Sequence, residues 1–540
     1  MPPPASPAQR PGHTGFHFDE LDEASAWIRE EALLRLPPLP KGLQLRIRGS
    51  VIALPDLGAG ERGLPSLVVG TSGGDLQRTS PKAEGDWELV LQVGTAEAAS
   101  GAELRFILEG VGGTNALAWL ARVSGLAALA RFRAQRPNRR LRIRRVETLA
   151  GEPVCDFSLR GSTLAPSFMR EAFRPGLNVV GWLDAELGLG EGARCMLRAA
   201  AAAGLPTAPV QLLLPCRAAR GNTEFSPRPA GEAPHAVNVF HIDPPAAHEI
   251  DRRHGPALRQ GRRNIGYWAW ELGEFPDAWV RSFEAFDEIW CPSDFVREAV
   301  SQKSPVPVLT MPHAIEVPAS LPDMRERLEL PGGRFLFLFS YDLNSYSARK
   351  NPRAVIEAFE AAGFAPGEAG LVLKVHNAEA HKAELAALYT LVEALGDVQL
   401  VARTLGRQEQ LALIASCDAF VSLHRSEGFG LAVAEAMALG KPVIATDWSA
   451  TAEYLGASNG CPVRHRLVRL ERNEGPYPRN SYWAEPDTAH AAEWMRRLVR
   501  EPGLAASLGG AARDTIRTRF SPARIGGLYR RRLEAIAQFA

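Results

Sequence analysis

The sequence predicts an α/β protein with two doubly wound lobes that face each other across a cleft, preceded by a mainly β accessory domain. A chain of 540 residues is too long for a single hydrophobic core. From Leu177 onward, buried-strand runs alternate with amphipathic helices, and a second series of the same kind begins near Arg334. This alternation is typical of βα units around a parallel sheet, so two series in succession predict two such lobes.

The changes in pattern along the chain give the expected domains. The proline-rich start lacks the apolar core of a signal peptide. Its composition predicts disorder. Short β-like segments follow, punctuated by Gly, Pro and Asp and interrupted by one helical stretch, NALAWLARVSGLAALARF. The expected units are a disordered or variable N-terminus (1–40), the β accessory domain (41–170), the first lobe (171–316), the second lobe (317–515) and a helix returning toward the first lobe (516–540).

The composition narrows the functional classes. Apolar residues make up 46% and charged residues 23% of the chain, with a formal net charge of +1, so no global charge favours nucleic acid as a partner. The six cysteines are scattered without CxxC spacing, which argues against a zinc site and fits a reducing compartment. No run approaches the roughly 18 apolar residues of a membrane span. We therefore expect a cytoplasmic protein.

One segment, HRSEGFGLAVAEAMALGKPVIATD (His424–Asp447), predicts a ligand site. A strand-like run, AFVSL, precedes it, and a helix beginning at Leu431 follows the SEGFG turn. Ligands of open α/β sheets bind at such a turn, where free N–H groups and the helix dipole favour a phosphate. Gly428 and Gly430 are expected to let the phosphate approach closely.

Two glutamates flank that site. Glu427 lies in the turn, whereas Glu435 lies about one turn inside the helix, roughly 6–8 Å along its axis at 1.5 Å per residue. One carboxylate can therefore meet the far end of a ligand while the other meets hydroxyls on its near part. A phosphate between two hydroxyl-rich groups describes a nucleotide sugar. The alternatives are a solvated helix glutamate for Glu435 and a carboxylate stabilised by the helix dipole for Glu427.

The E-x7-E pattern with its EGFGL core and the following GKPVIATD resembles glycosyltransferase family 4, whose fold is GT-B. The resemblance extends over roughly Leu177–Ala540 and includes YWAWELGEFP, DEIWCPSDFV, SARKNP and WAEPD. It is greatest to bacterial enzymes of lipopolysaccharide and exopolysaccharide assembly. It implies a first lobe that binds the acceptor and a second lobe that binds the donor. It also implies that Glu427 contacts the donor sugar, that Glu435 holds the ribose, and that Gly428, Phe429, Gly430 and Leu431 form the diphosphate-binding turn.

The SARKNP segment supplies cations for the same ligand. Arg349 and Lys350 follow the strand-like FLFLFS run and precede a helix that starts at Pro352. Cations at this position can hold a diphosphate and stabilise the charge on the leaving nucleoside diphosphate, so we predict catalytic roles for both. The family usually has an arginine five or six residues before the lysine. Asn344 and Ser345 stand there, and Arg349 is the expected substitute, although adjacent basic residues are also common on surfaces.

The first lobe contributes further candidates. Gly188 and Gly190 lie in GWLDAELGLGEGAR between a strand and a helix, where they are expected to face the donor phosphates; the alternative is a tight turn only. His241 ends the strand VNVFH, and Glu271 follows the aromatic run YWAW. Both are acceptor-side candidates. The alternative is a core histidine for the first and core tryptophans around the second.

Together these features predict a retaining, metal-independent glycosyltransferase that moves a hexose from a nucleoside-diphosphate sugar to a glycan or lipid-linked glycan in surface-polysaccharide biosynthesis. Mannose is the family-level expectation. No cofactor is expected, since the sugar nucleotide is a substrate, and no Asp-x-Asp or His/Cys cluster predicts a metal. The arginine-rich stretch Arg131–Arg145 predicts peripheral contact with anionic lipid of the inner membrane or with an acidic glycan; the alternative is a solvated strand face. A GT-B nucleotide-sugar epimerase and a non-catalytic glycan-binding or scaffold protein are the alternative functions.

Overall fold

The computed structural model describes the second half of the chain almost continuously and the first 175 residues in pieces. The described residues are 13–17, 26–35, 44–51, 66–71, 77–79, 85–93, 103–109, 141–151, 153–156 and 176–537, without 217, 229–232, 256, 257, 260, 261 and 394.

The N-terminal part forms a nine-stranded antiparallel sheet in the order β5-β4-β7-β2-β8-β3-β6, with β1 beside β2 and β9 beside β8. The predicted mainly β region is confirmed. Buried and outward-facing positions alternate along β3 and β6, as in a sheet with one covered face. The strands are His13–His17 (β1), Ala26–Arg35 (β2), Gln44–Val51 (β3), Ser66–Thr71 (β4), Gln77–Thr79 (β5), Gly85–Gln92 (β6), Glu103–Glu109 (β7), Leu141–Thr148 (β8) and Pro153–Asp156 (β9).

Two of these strands correct the prediction of disorder for residues 1–40, because β1 and β2 both lie there and pair into the sheet. The β2 sequence, AWIREEALLR, is rich in residues that favour helices. Its strand conformation depends on pairing with β7 and β8, which are far away in sequence and invisible to a local pattern. The predicted helical stretch NALAWLARVSGLAALARF lies outside the described residues.

The first lobe contains a six-stranded parallel sheet in the order β11-β10-β12-β13-β14-β15. Every residue of β10 and β12 is buried, as expected for strands covered on both faces. The elements are Leu177–Gly181 (β10), Gly188–Ala202 (α1), Thr207–Gln211 (β11), Val237–His241 (β12), Ile250–His254 (α2), Arg263–Tyr267 (β13), Glu288–Cys291 (β14), Asp294–Ser301 (α3) and Val308–Thr310 (β15), with 3-10 helices at Pro244–Glu249 and Asp277–Ala285.

The second lobe repeats this plan in the order β18-β17-β16-β19-β20-β21, again entirely parallel. Its strands are Phe335–Asp342 (β16), Ala369–His376 (β17), Val398–Val401 (β18), Ala419–Ser422 (β19), Val443–Thr446 (β20) and Cys461–Val463 (β21). Its helices are Ser347–Lys350 (α4), Pro352–Ala362 (α5), Lys382–Val392 (α6), Arg407–Ser416 (α7), Leu431–Ala438 (α8), Thr488–Arg500 (α9) and Pro502–Arg519 (α10), with 3-10 helices at Leu343–Ser345, Ala378–Ala380 and Ser449–Glu453. The predicted α/β, GT-B arrangement of two doubly wound lobes is confirmed.

Two further elements connect the lobes. An antiparallel hairpin, His465–Arg469 (β22) and Tyr482–Pro486 (β23), extends from the second lobe. The last helix, Pro522–Ala537 (α11), packs on α1 of the first lobe, where Arg532 binds both carboxylate oxygens of the fully buried Glu288 at 2.8 and 2.5 Å. No helix within the described part of the chain is both long and apolar enough to cross a bilayer.

The lobes also touch directly at the N-terminus of α3. Ser293 of the first lobe donates a hydrogen bond to the carbonyl oxygen of Gly428 at 2.7 Å. Glu453 of the second lobe accepts hydrogen bonds from the backbone N–H groups of Asp294 and Phe295, which the start of a helix leaves without intrahelical partners. The contact therefore places the SEGFG turn against the opposite lobe.

Candidate active site between the two lobes

Three charged side chains form a buried cluster at the SEGFG turn. The Lys350 ammonium donates to Glu427 Oε1 at 2.5 Å, and Arg349 Nη1 lies 3.3 Å from the same oxygen. The Glu427 side chain is only 9% exposed and that of Arg349 only 4%. The structure thus brings together the three residues predicted to be catalytic.

Local backbone structure positions the two cations. Asn351 adopts a left-handed conformation at φ 58°, and its side chain caps α5 by accepting from the Ala354 N–H at 3.4 Å. Pro352 then opens that helix, a position that tolerates its missing N–H. Since α4 ends immediately before this cap, Arg349 and Lys350 are directed at the turn after β19, and Arg349 also donates to the Ser426 carbonyl at 2.9 Å.

The start of α8 follows the SEGFG turn, and its first backbone N–H groups have no intrahelical partner. Gly430 is the N-cap at φ 85°, and no side chain of the described residues caps this helix. A Cβ on Gly430 would lie 2.7 Å from the Thr451 side chain, and one on Gly428 would lie 3.1 Å from the Trp270 carbonyl of the other lobe. Packing and backbone conformation therefore account for both glycines, while binding of a diphosphate by the N–H groups of Phe429, Gly430 and Leu431 stays a prediction.

The cluster is electrostatically coupled. Burial alone would raise the pKa of Glu427, but Lys350 and Arg349 outweigh it and lower the pKa from 4.5 to about 2. Burial lowers the pKa of Lys350, against the opposing effect of Glu427. The carboxylate is ionised at neutral pH, so it can accept hydrogen bonds from hydroxyl groups.

The first lobe reaches the cluster through Glu271. Its carboxylate lies 3.7 Å from Arg349 Nη2 and accepts a hydrogen bond at 3.1 Å from the hydroxyl of Tyr477, in the loop of the β22–β23 hairpin. Tyr477 is 2% exposed and packs against Trp270 with ring centroids 5.6 Å apart. A chain of contacts therefore runs across the cleft from Tyr477 through Glu271 and Arg349 to Glu427.

Glu435 occupies a second interlobe cluster. Its side chain is only 5% exposed, and Arg407 Nη1 donates to its Oε1 at 2.5 Å. Arg407 Nε also lies 3.3 Å from Oε1 of Glu191, in the first turn of α1 of the first lobe. Burial raises the pKa of Glu435, and Arg407 opposes that rise. The solvated-helix alternative for Glu435 is wrong, because the side chain is buried and ion-paired.

The other first-lobe candidates differ in their surroundings. Gly188 begins α1 with open space beside its Cα, whereas a Cβ on Gly190 would lie 2.5 Å from the Trp182 carbonyl oxygen, so close packing requires that glycine. His241 is fully buried, with its ring stacked on Tyr267 at 4.4 Å. The structure places His241 in the lobe's core, and its acceptor role stays a prediction.

Sequence patterns missed three polar residues of the cleft. Arg407 and Tyr477 carry no motif, since they meet Glu435 and Glu271 only after the lobes pack. Asp243, two residues beyond β12, is exposed, and no partner for its carboxylate is found among the described residues. Although the residue is open to solvent, neighbouring protein atoms partly desolvate its carboxylate, and together with the negative charge of Glu271 they raise the pKa of Asp243 to about 6. Its position at the carboxyl end of a central parallel strand is the one signal that could have identified it.

In the described part of the chain, no group of three His, Cys, Asp or Glu side chains is placed to hold a metal ion.

Comparisons with known proteins bear on the same segment. Residues 322–461 match the family model described as glycosyl transferases group 1. Human alpha-1,3/1,6-mannosyltransferase ALG2 is 27% identical over 128 residues, which are 24% of this chain and 26% of that protein, so the chain spans about a quarter of the length of this curated relative. The predicted resemblance to glycosyltransferases is thus confirmed as a similarity of residues 322–461, and this segment contains both cations and both glutamates described above.

Solved structures are similar over a longer part of the chain. Anabaena Alr3699/HepE in complex with UDP-glucose is 14% identical, with 67% of this chain and 99% of that chain covered and a TM-score of 0.48. Sucrose-phosphate synthase from Thermosynechococcus elongatus is 17% identical, with 66% and 98% covered and a TM-score of 0.46. These likenesses concern the fold and not the substrate.

Proposed function

We propose that the chain is a retaining glycosyltransferase that moves a hexose from a nucleoside-diphosphate sugar to a hydroxyl of a glycan or lipid-linked glycan. The observation that carries this proposal is the buried cluster of Glu427, Lys350 and Arg349 beside the uncapped start of α8, facing the other lobe. The two cations and the backbone N–H groups suit a diphosphate, whereas the ionised carboxylate of Glu427 suits the hydroxyls of a sugar.

The proposed reaction breaks the bond between the anomeric carbon and the diphosphate. Negative charge then develops on the leaving nucleoside diphosphate, where Lys350, Arg349 and the first N–H groups of α8 stabilise it. The acceptor hydroxyl attacks the oxocarbenium-like sugar from the side that the diphosphate leaves, so the anomeric configuration is retained. The departing phosphate takes the acceptor proton, and Glu427 holds the donor sugar by its hydroxyls.

We further propose that transfer needs no metal ion. Two side-chain cations lie within 3.3 Å of one carboxylate oxygen beside the SEGFG turn, and this pair supports the proposal that protein charge stabilises the leaving diphosphate. The protein would therefore supply through Lys350 and Arg349 the charge that a divalent ion supplies elsewhere. Transfer should continue at an undiminished rate in EDTA.

Separate observations support the choice of sugar and acceptor. The matching human protein is named a mannosyltransferase, which favours mannose as the hexose. Glu271 and Asp243 line the first lobe's side of the cleft, where their carboxylates suit the hydroxyls of an acceptor glycan. A surface-polysaccharide pathway at the cytoplasmic face of the inner membrane remains part of this proposal.

The proposed membrane contact involves the arginine-rich stretch Arg131–Arg145, which ends in β8. Arg144 in β8 pairs with Asp86 at 3.0 Å, and Arg145 lies 3.6 Å from Glu147. Residues 131–140 lie outside the described residues. Cosedimentation with vesicles containing anionic phosphatidylglycerol would test the contact, and equal binding after the arginines of 131–140 are changed to Gln would refute it.

The deciding experiment for the donor site is calorimetric titration of the full chain with GDP, UDP, ADP and dTDP in EDTA. We expect one nucleotide to bind selectively and Glu435→Ala to weaken it, while Glu360→Ala on the exposed face of α5 leaves it unchanged. A matching sugar nucleotide incubated with and without acceptor then separates the alternatives. Conversion of the donor without any acceptor would indicate an epimerase, and failure to bind all four nucleotides would favour a scaffold protein.

A further inference from the structure

The second interlobe cluster contains an arginine that neither the motif nor the proposed chemistry uses. Arg407, the first residue of α7, contacts a carboxylate on each side of the cleft: Glu435 at 2.5 Å within its own lobe and Glu191 at 3.3 Å in the other. All three side chains are largely buried, with exposed fractions of 21%, 5% and 8%. An ion pair with so little solvent around it is weakly screened.

The two carboxylates depend on Arg407 to different degrees. Glu191 also accepts from Arg194 at 2.9 Å and pairs with Arg198. Among the described residues, Arg407 is the only side chain that hydrogen-bonds or pairs with the Glu435 carboxylate. Loss of Arg407 would leave Glu191 compensated and Glu435 buried without a cation.

We propose that Arg407 is a positioning residue of the donor site: it keeps the Glu435 carboxylate ionised and aimed for the ribose hydroxyls, and Glu191 of the opposite lobe anchors it there. This inference rests on the proposed function, in which Glu435 binds the ribose of the donor. An ionised carboxylate accepts hydrogen bonds at both oxygens. When it is protonated, one oxygen carries an O–H group that donates, so fewer sites remain to accept from ribose hydroxyls. Donor binding is thereby linked to contact between the lobes.

The charged and titratable groups around Glu435 determine how its protonation, and with it donor binding, depends on pH. Arg407 and the more distant Arg198 favour its ionised form, whereas burial and Glu191 oppose it. The phenol of Tyr454 also faces this region, but it is committed to the Phe429 carbonyl at 2.8 Å, and its pKa is raised well above 10. Without Arg407, burial and Glu191 dominate, and the pKa of Glu435 rises further, which favours its protonated form.

The test is titration of the full chain with the nucleoside diphosphate that the wild type binds, at several pH values between 6 and 9. We expect wild-type affinity to be nearly constant over this range. Arg407→Gln should bind at least tenfold more weakly at pH 6 and recover toward wild-type affinity as Glu435 ionises at higher pH. Glu435→Gln, which cannot ionise, should bind weakly at every pH.

A second variant tests the interlobe anchor without removing the cation. Glu191→Gln leaves the Arg407–Glu435 pair intact, so we expect affinity to fall at least threefold with no new pH dependence. It also gives a test should Arg407→Gln not fold. An Arg407→Gln profile that is flat with pH, or wild-type affinity in Glu191→Gln, would overturn the inference. If the wild type binds none of the four nucleotides, the proposed donor site itself fails, which is a separate outcome.

Discussion

The isosteric substitution Glu427→Gln tests the charged cluster most directly. It removes one negative charge and leaves Lys350 and Arg349 buried with their principal counter-ion gone. Removing one partner of a buried ion pair costs about 3–5 kcal/mol, because the remaining charge stays desolvated. Arg349 retains Glu271 at 3.7 Å and the Ser426 carbonyl, so we expect the lower end, about 3 kcal/mol, together with loss of sugar transfer.

The lowered pKa of Glu427 predicts a stability contribution of similar size. The pKa of Glu427 is lowered from 4.5 to about 2, which corresponds to about 3 kcal/mol of folding stability. For a carboxyl whose folded pKa is lowered, this contribution is fully present above pH 4.5 and is lost as the pH falls toward 2. The stability difference between wild type and Glu427→Gln should therefore shrink as the solution is acidified through that window.

Urea denaturation of four proteins completes the test: wild type, Glu427→Gln, Lys350→Met and the double variant. If the charges interact as the structure shows, the double variant loses less stability than the two single variants together, with a coupling energy of about 2 kcal/mol. Midpoints should shift without a change in slope, since the surface exposed on unfolding is unaltered. Additive effects within about 0.5 kcal/mol, or a stability difference independent of pH, would refute the reasoning.

Three further predictions concern contacts around the cleft. Tyr477→Phe removes the 3.1 Å hydrogen bond to Glu271 and should lower turnover severalfold. The free energy of unfolding, measured by urea titration, should fall by only about 1 kcal/mol. Unchanged turnover would show that this tyrosine does not contribute to the reaction. Gly526→Ala places a Cβ into the α1 backbone and should destabilise the protein by about 1–3 kcal/mol. Gly527→Ala is the control, because the nearest atom to its added Cβ lies 3.9 Å away and no destabilisation is expected. Equal melting temperatures of the two variants would contradict the docking of α11. Asp243, with its pKa raised to about 6, should produce an inflection near pH 6 in the acceptor KM, and persistence of that inflection in Asp243→Asn would assign it to another group.

Membership of the charged cluster was predictable because strand order and chain direction are regular in α/β sheets. The SARK segment follows β16 and the SEGFG turn follows β19, and these two strands are neighbours in the parallel sheet. Parallel neighbours end at the same edge, so residues just beyond their carboxyl ends must lie close together. Local pattern therefore placed Arg349, Lys350 and Glu427 beyond the carboxyl ends of their strands, and the pairing of β16 with β19 in the structure brings these ends together.

The reasons for the glycines were not predictable in the same way. A glycine in a strand-to-helix turn lets either a phosphate or other protein atoms come close to the backbone. The sequence does not show which of the two reasons applies. The structure places the Trp270 carbonyl beside Gly428 and the Thr451 side chain beside Gly430. Both neighbours come from parts of the chain whose proximity depends on lobe packing.

Hydrophobic period, helix capping and strand direction are local properties, so the two βα series, the two glutamates and the cations after β16 could be predicted from the amino-acid sequence. The contacts of Arg407 with Glu435 and Glu191, the hydrogen bond from Tyr477 to Glu271 and the strand conformation of β2 arise from pairing between distant segments. Each of these contacts closes a long loop in the chain. The free energy of such contacts comes from desolvated charge and sheet pairing between distant segments, which no local pattern contains.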